Sequence, residues 1–150
     1  MITRLVLCIL LAGILAPAPI AQPCSAQAKE TVTGIGGVFF RAGDPQALTD
    51  WYEEHLGITR VPTSYETQPW IQLAGPTVFA PFASTTSYFG RPEQQWMINF
   101  RVRDLDAMVQ QLRSAGIEVK VDSTVYPNGR FARLHDPEGN PIELWEPKQE

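Results

Sequence analysis

The sequence predicts an α+β domain made of two βαβββ modules, the product of an internal duplication. Two observations carry this expectation. First, a strand, an Asp-capped helix and a helix-ending glycine occur twice, at an offset of about sixty residues: Phe40 matches Phe100, Arg41 matches Arg101, Asp44 matches Asp104 and Ala47 matches Ala107, with Gly57 and Gly116 one residue out of step. Second, the chain closes on a strand pair around a dense turn, Asp136-Pro137-Glu138-Gly139-Asn140-Pro141. Neither module could easily bury its own sheet and helix, so the two should share one structure.

In chain order, residues 34–42 read as a strand whose glycines permit close approach of another backbone or a ligand. Asp44 is the N-cap of a helix and Pro45 its first residue. Leu48, Trp51, Tyr52, His55 and Leu56 then recur with the spacing of one apolar helix face, which Gly57 terminates. Strands are expected over 58–65, 70–73 and 77–82, although Pro62, Pro69 and Pro76 restrict where they can pair. Module one thus spans about 33–82 and a Ser-, Thr- and Gly-rich linker about 83–94. Module two spans about 95–147: a strand over 96–102, a helix capped by Asp104 with Leu105, Met108, Val109 and Leu112 on one face, a strand over 117–121, and the final pair over 130–135 and 142–146. In that last strand Ile142 and Leu144 face one way, Glu143 and Trp145 the other.

The first 28 residues read as a cleaved secretory signal peptide, leaving 29–150 as one domain. Arg4 supplies a positive start, Leu5 to Ala16 an apolar run too short to span a bilayer, Pro17 and Pro19 a break, and Ala26-Gln27-Ala28 small residues before the cleavage point. Export to the periplasm or extracellular space follows as the expectation, with no stable membrane insertion after cleavage. Both cysteines, Cys8 and Cys24, fall in the leader, so the mature chain has no disulfide. A formal net charge of −4 without a basic cluster argues against nucleic-acid binding.

Gly36-Gly37-Val38-Phe39-Phe40 with Asp44-Pro45, Trp51 to Gly57, Asn99 to Ala107 and His135 to Pro147 together resemble the vicinal-oxygen-chelate superfamily, which contains glyoxalases, extradiol dioxygenases and bleomycin-resistance proteins. The resemblance covers roughly Gly34 to Pro147. It implies paired modules in a curved mixed sheet, helices on the convex side and a cleft on the concave side. Metal-dependent members hold a divalent ion with two His and two Glu. Carried over by position, the last Glu is Glu143, whereas the two His positions hold Gly37 and Met97, and no acid lies between Leu73 and Ser84 where the other Glu should fall. One ligand of four is too few for a catalytic Zn²⁺ or a non-haem iron. No cofactor is therefore expected; a divalent metal would have an incomplete ligand set.

His135 shares the strand parity of Phe131 and Arg133, and it either couples with Glu143 as an acid–base pair or half a metal site, or bonds the neighbouring turn. His55 is expected to pack or cap the end of its helix. The same parity sends Phe39, Arg41, Met97, Asn99, Arg101, Phe131, Arg133, Glu143 and Trp145 to the concave side, joined by Trp70. Guanidiniums among aromatics suit a small aromatic or anionic ligand, unless the arginines pair with Glu143 and other acids. Three function classes result: a small-molecule-binding protein of the bleomycin-resistance type; a glyoxalase-like lyase, isomerase or dioxygenase using Glu143 as metal ligand or general base; and a non-catalytic secreted module. A homodimer is expected.

Overall fold

The computed structural model describes residues 29–148, so the leader over 1–28 and its two cysteines lie outside the described residues. Residues 29–38 are exposed chain without regular structure, and the folded unit begins at Phe39. In order it contains helix α1 (Pro45–Leu56), strand β1 (Ile98–Arg101), helix α2 (Leu105–Ser114), and strands β2 (Lys120–Val121), β3 (Gly129–His135) and β4 (Pro141–Pro147). The strands form one mixed sheet in the order β1-β4-β3-β2, with β1 parallel to β4 and the other pairs antiparallel. The chain is thus α+β, with two helices on a four-stranded sheet.

Both helices start and stop where their sequences dictate. Asp44 and Asp104 each accept a hydrogen bond from the backbone N–H three residues on, Ala47 at 3.1 Å and Ala107 at 2.9 Å. These bonds satisfy donors that have no partner inside a helix. At the end of α2, Gly116 N–H donates to Arg113 O and Ile117 N–H to Leu112 O. Gly116 takes the left-handed φ of +80° that this closing motif requires. Leu48 and Tyr52 from α1 and Leu105, Val109 and Leu112 from α2 pack against Ala132, Leu134, Ile142 and Leu144 of the sheet. All four sheet residues have the parity expected to face the helices. Leu105, Leu112, Ile142 and Leu144 are fully buried, and each contributes on the order of 1.5–3 kcal/mol by leaving water.

The turn between β3 and β4 ties this core to α1. Asp136 is buried and accepts from the Tyr52 hydroxyl (3.0 Å), from the backbone N–H of Glu138 and Asn140, and from the Asn140 amide. Burial, followed by the charge and hydrogen bond of Asp136, pushes the Tyr52 phenol well above the ordinary tyrosine range. Glu138 reaches over to accept from Gly43 N–H and Asp44 N–H at 3.0 and 2.9 Å, anchoring the chain as it enters α1.

The first half differs from expectation. No strand forms over 34–42, 58–65, 70–73 or 77–82, so the βαβββ repeat is present in its capped helices and absent from its sheet, and the duplication is not established. Pro62, Pro69, Pro76 and Pro81 supply no N–H and break any ladder every few residues. The intervening apolar side chains stay exposed, Phe79 to 89 %. In the second half β2 shrinks to two residues of the expected 117–121, because Ile117 is held in the α2 closing motif. Among the described residues no helix is long and apolar enough to cross a membrane.

Candidate functional site

Glu143 lies at the middle of β4, a strand with neighbours on both sides. The register places Asn99 of β1 directly beside it on one flank and Arg133 of β3 on the other. Lys120 of β2 stands beside Arg133 in turn, which completes a polar row across the sheet. Because Ile142 and Leu144 on either side are fully buried against the helices, Glu143 must point to the opposite face.

The carboxylate is only 6 % exposed and is surrounded by donors. Oε1 accepts from the Tyr88 hydroxyl at 2.8 Å and from Arg133 Nε and Nη2 at 3.2 and 3.1 Å. Oε2 accepts from Asn99 Nδ2 at 2.8 Å. A buried charge is tolerated when it is paired and hydrogen-bonded, and here three side chains share that task. The Arg133 guanidinium also donates through Nη1 to Tyr88 O at 3.1 Å and lies 4.1 Å from the centre of the Tyr88 ring. Phe82 stacks on Tyr88, with the ring centres 5.0 Å apart. Burial and the bond to Glu143 raise the Tyr88 phenol above its ordinary value, only partly offset by Arg133.

One step along the strands lies a second row on the same face. Arg101, Trp145 and Phe131 are neighbours in the register of β1, β4 and β3. The Trp145 and Phe131 rings are parallel within 4° at 6.2 Å, and Tyr126 meets Phe131 edge-on. Trp145 is 7 % exposed and its indole N–H donates to Asn128 O. Arg101 donates to Leu73 O at 2.8 Å. The face is thus lined by aromatics, and Leu73 O and Tyr88 reach it from the preceding half of the chain.

Of the residues expected to line the concave side, Asn99, Arg133 and Glu143 meet directly, Phe131 and Trp145 stack beside them, and Arg101 occupies the same face. Met97 is half-buried just before β1. Phe39, 93 % exposed, Arg41 and Trp70 are exposed, and no hydrogen bond, ion pair or ring contact joins them to the Glu143 cluster. The strand that was to bring Phe39 and Arg41 to the cleft does not form. His135 is exposed at the end of β3 with Pro141, not Glu143, opposite it, and no hydrogen bond links the two. Arg133 occupies the place beside Glu143 that an acid–base histidine would need. His55 packs edge-on against Trp51 at 5.4 Å.

Tyr88 is the residue that the sequence reading missed. It sits in a stretch read as linker, and nothing local distinguishes it; a polar cleft residue needing a lid donor was the available signal. An open groove of about 430 Å³ between α2 and Val121 is lined by Asp106, Val109, Gln110, Arg113, Ser114 and Val121. It lies on the helix side of the sheet. Its charged members are already engaged, Asp106 with Arg130 and Arg113 with Val119 O, so we assign it no chemistry.

The residues present do not fit a family-type divalent ion. Glu143 is committed to four donor atoms on three side chains, Met97 offers only a thioether, Gly37 offers no side chain, and among the described residues no three His, Cys, Asp or Glu side chains gather in a way that could hold a metal.

Comparison with curated proteins gives no significant match. Among solved structures, the chain is similar to lactoylglutathione lyase from Agrobacterium tumefaciens, at 19 % identity over 78 % of this chain and 96 % of that one, with a TM-score of 0.50. It is also similar to a glyoxalase family protein from Bacillus anthracis, at 22 % identity over 79 % of this chain and 100 % of that one, TM-score 0.48. A third likeness is to TnmS3, an antibiotic binding protein from Streptomyces sp. CB03234, at 24 % identity over 70 % and 88 % of the two chains, TM-score 0.44. At its identity the first of these speaks for the fold alone, and no argument rests on the other two. The family model for the Glyoxalase/Bleomycin resistance protein/Dioxygenase superfamily matches residues 34–144, nearly the whole folded unit, and the chain belongs to that superfamily.

Proposed function

We propose that this protein binds a small aromatic molecule on the sheet face that carries Glu143, without a metal ion. The observation that carries the reading is the pairing of Glu143 with Arg133, Tyr88 and Asn99. A carboxylate held by a guanidinium is a poor metal ligand and a poor general base, because both roles require it to give up that partner. The superfamily's name joins bleomycin resistance proteins to glyoxalases and dioxygenases, and one fold hosts many functions. The exposed Tyr88–Phe82 stack, and the partly exposed Phe131 backed by the buried Trp145, offer flat apolar surface beside a few fixed polar groups, the usual make-up of a small-molecule site.

An anionic ligand is less well supported than the arginines of the sequence suggest. The charge of Arg133 is matched by Glu143, and Arg101 is turned to a backbone carbonyl. A lyase or dioxygenase acting through Glu143 would have to displace Arg133 first.

The test is a tryptophan-fluorescence titration of the full chain with a panel of mono- and bicyclic aromatics, repeated after dialysis against a chelator. Saturable quenching that survives chelation is the expected result. Quenching that needs added Zn²⁺, Ni²⁺, Fe²⁺ or Mn²⁺, or a stoichiometric transition metal in the purified protein, would overturn the reading.

A further inference from the structure

The donors and acceptors around Glu143 are unevenly used, and the imbalance specifies what a ligand must bring. On the Oε1 side the carboxylate is full: Tyr88 Oη, Arg133 Nε and Arg133 Nη2 all converge on that one oxygen. On the Oε2 side there is a single donor, Asn99 Nδ2 at 2.8 Å. A carboxylate oxygen accepts two hydrogen bonds, so Oε2 keeps one place. The Asn99 orientation is fixed by this contact, since the flipped amide would set two acceptors against each other. Its Oδ1 is therefore turned away from Glu143, and no hydrogen bond to it is made among the described residues. Asn99 is exposed and lies on β1, which is an edge strand among the described residues. Tyr88 and Arg133 contact the Oε1 side of the carboxylate, and the exposed Asn99 contacts its Oε2 side.

Resting on the reading of this face as a small-molecule site, we propose that the Glu143–Asn99 edge selects aromatic ligands bearing a two-donor N–H₂ group, of the primary-carboxamide class, and rejects aromatic carboxylates. One N–H of such a group donates to Glu143 Oε2 and the second to Asn99 Oδ1, while the ring lies toward the aromatic row one step along the sheet. A neutral amide suits the local charge. Arg133 cancels Glu143, and Arg101 stands two residues from Asn99 on the same strand face, which disfavours a cationic head group. A carboxylate in the same position would press two acceptor oxygens against Oε2 and Oδ1 with no proton between them, the arrangement that costs most when desolvated.

Benzamide and benzoate have nearly the same shape and differ in this respect, so they are the probes. Titrated into the full chain at neutral pH, with ligand-observed NMR and tryptophan fluorescence as readouts, benzamide should bind at least about tenfold more tightly than benzoate, the worth of one to two hydrogen bonds. Asn99→Ala, at an exposed position that leaves the Arg133–Glu143 pair in place, should weaken benzamide roughly five- to tenfold and narrow the preference. Benzoate binding as tightly as benzamide would overturn the donor preference and leave the binding site standing. Preferential benzamide binding that Asn99→Ala does not change would place the preference elsewhere and overturn the assignment to this edge. Saturable binding by neither probe, nor by the aromatic panel above, would overturn the site itself.

Discussion

At the scale of single residues, Glu143 is the feature to explain, because a carboxylate 6 % exposed on a central strand is costly unless neutralised. Replacing Arg133 by Leu removes the one cation paired with it among the described residues and leaves the charge facing an aliphatic side chain. We expect a loss of about 2–3 kcal/mol at pH 7, less than for a fully enclosed pair because Arg133 is itself 41 % exposed. The urea midpoint at pH 7 checks this, and a midpoint within error of the parent's would mean that Arg133 does not stabilise the buried carboxylate. Tyr88 gives a test that depends on pH. Its folded pKa is raised above the ordinary tyrosine value of 10.0 by burial and by Glu143, so its contribution is present below about pH 10 and is lost as pH rises and the unfolded chain gives up its proton first. Tyr88→Phe should cost about 1 kcal/mol at neutral pH and flatten the alkaline fall in stability, with the remaining slope due to Tyr52, whose phenol is shifted the same way.

At the scale of elements, the turn 136–140 does more than reverse the chain, since Asp136 gathers donors from α1 and from its own loop. Asp136→Ala strands the Tyr52 hydroxyl, the Asn140 amide and two backbone N–H groups, and should lower stability by about 3–5 kcal/mol, whereas Asp136→Asn, which keeps one acceptor oxygen, should lose markedly less. A shifted urea midpoint with an unchanged slope is the signature expected for both variants. The elements also show what was legible beforehand. The helix caps Asp44 and Asp104, the αL glycine Gly116 and the alternation in β4 were readable because each is a local rule with one physical cause. The pairing of Glu143 with Arg133 was readable only as one of two alternatives, since parity gives the face and register gives the neighbour. The contribution of Tyr88 was not readable, because it depends on where a loop folds back over the sheet. The missing strands of the first half were overread for the converse reason: apolar runs such as Thr77 to Phe82 satisfy strand patterning, while pairing needs partners and free N–H groups that the prolines interrupt.

At the scale of the whole folded unit, order is unequally distributed. The β3–β4 ladder runs over seven residue pairs and is backed by both helices, and β1 adds four parallel pairs. By contrast the stretch 58–82 carries no strand, and its backbone makes a single internal turn hydrogen bond, Thr67 N–H to Ser64 O. Val61, Ile71, Leu73, Val78 and Phe79 on it are exposed. Amide protection follows hydrogen bonding and local packing, so exchange at low protein concentration should be slowest through 129–135 and 141–147 and fastest between residues 58 and 82. An exposed apolar run of this kind is also where association would bury most surface. If the chain forms the homodimer its sequence leads one to expect, protection of 70–82 should rise with protein concentration while that of 129–147 stays constant, because the latter is complete within one chain. Protection of 70–82 that is strong at every concentration would mean that these segments pair within a single chain, and the four-stranded sheet would then be only part of a larger one, with Asn99 no longer at its edge.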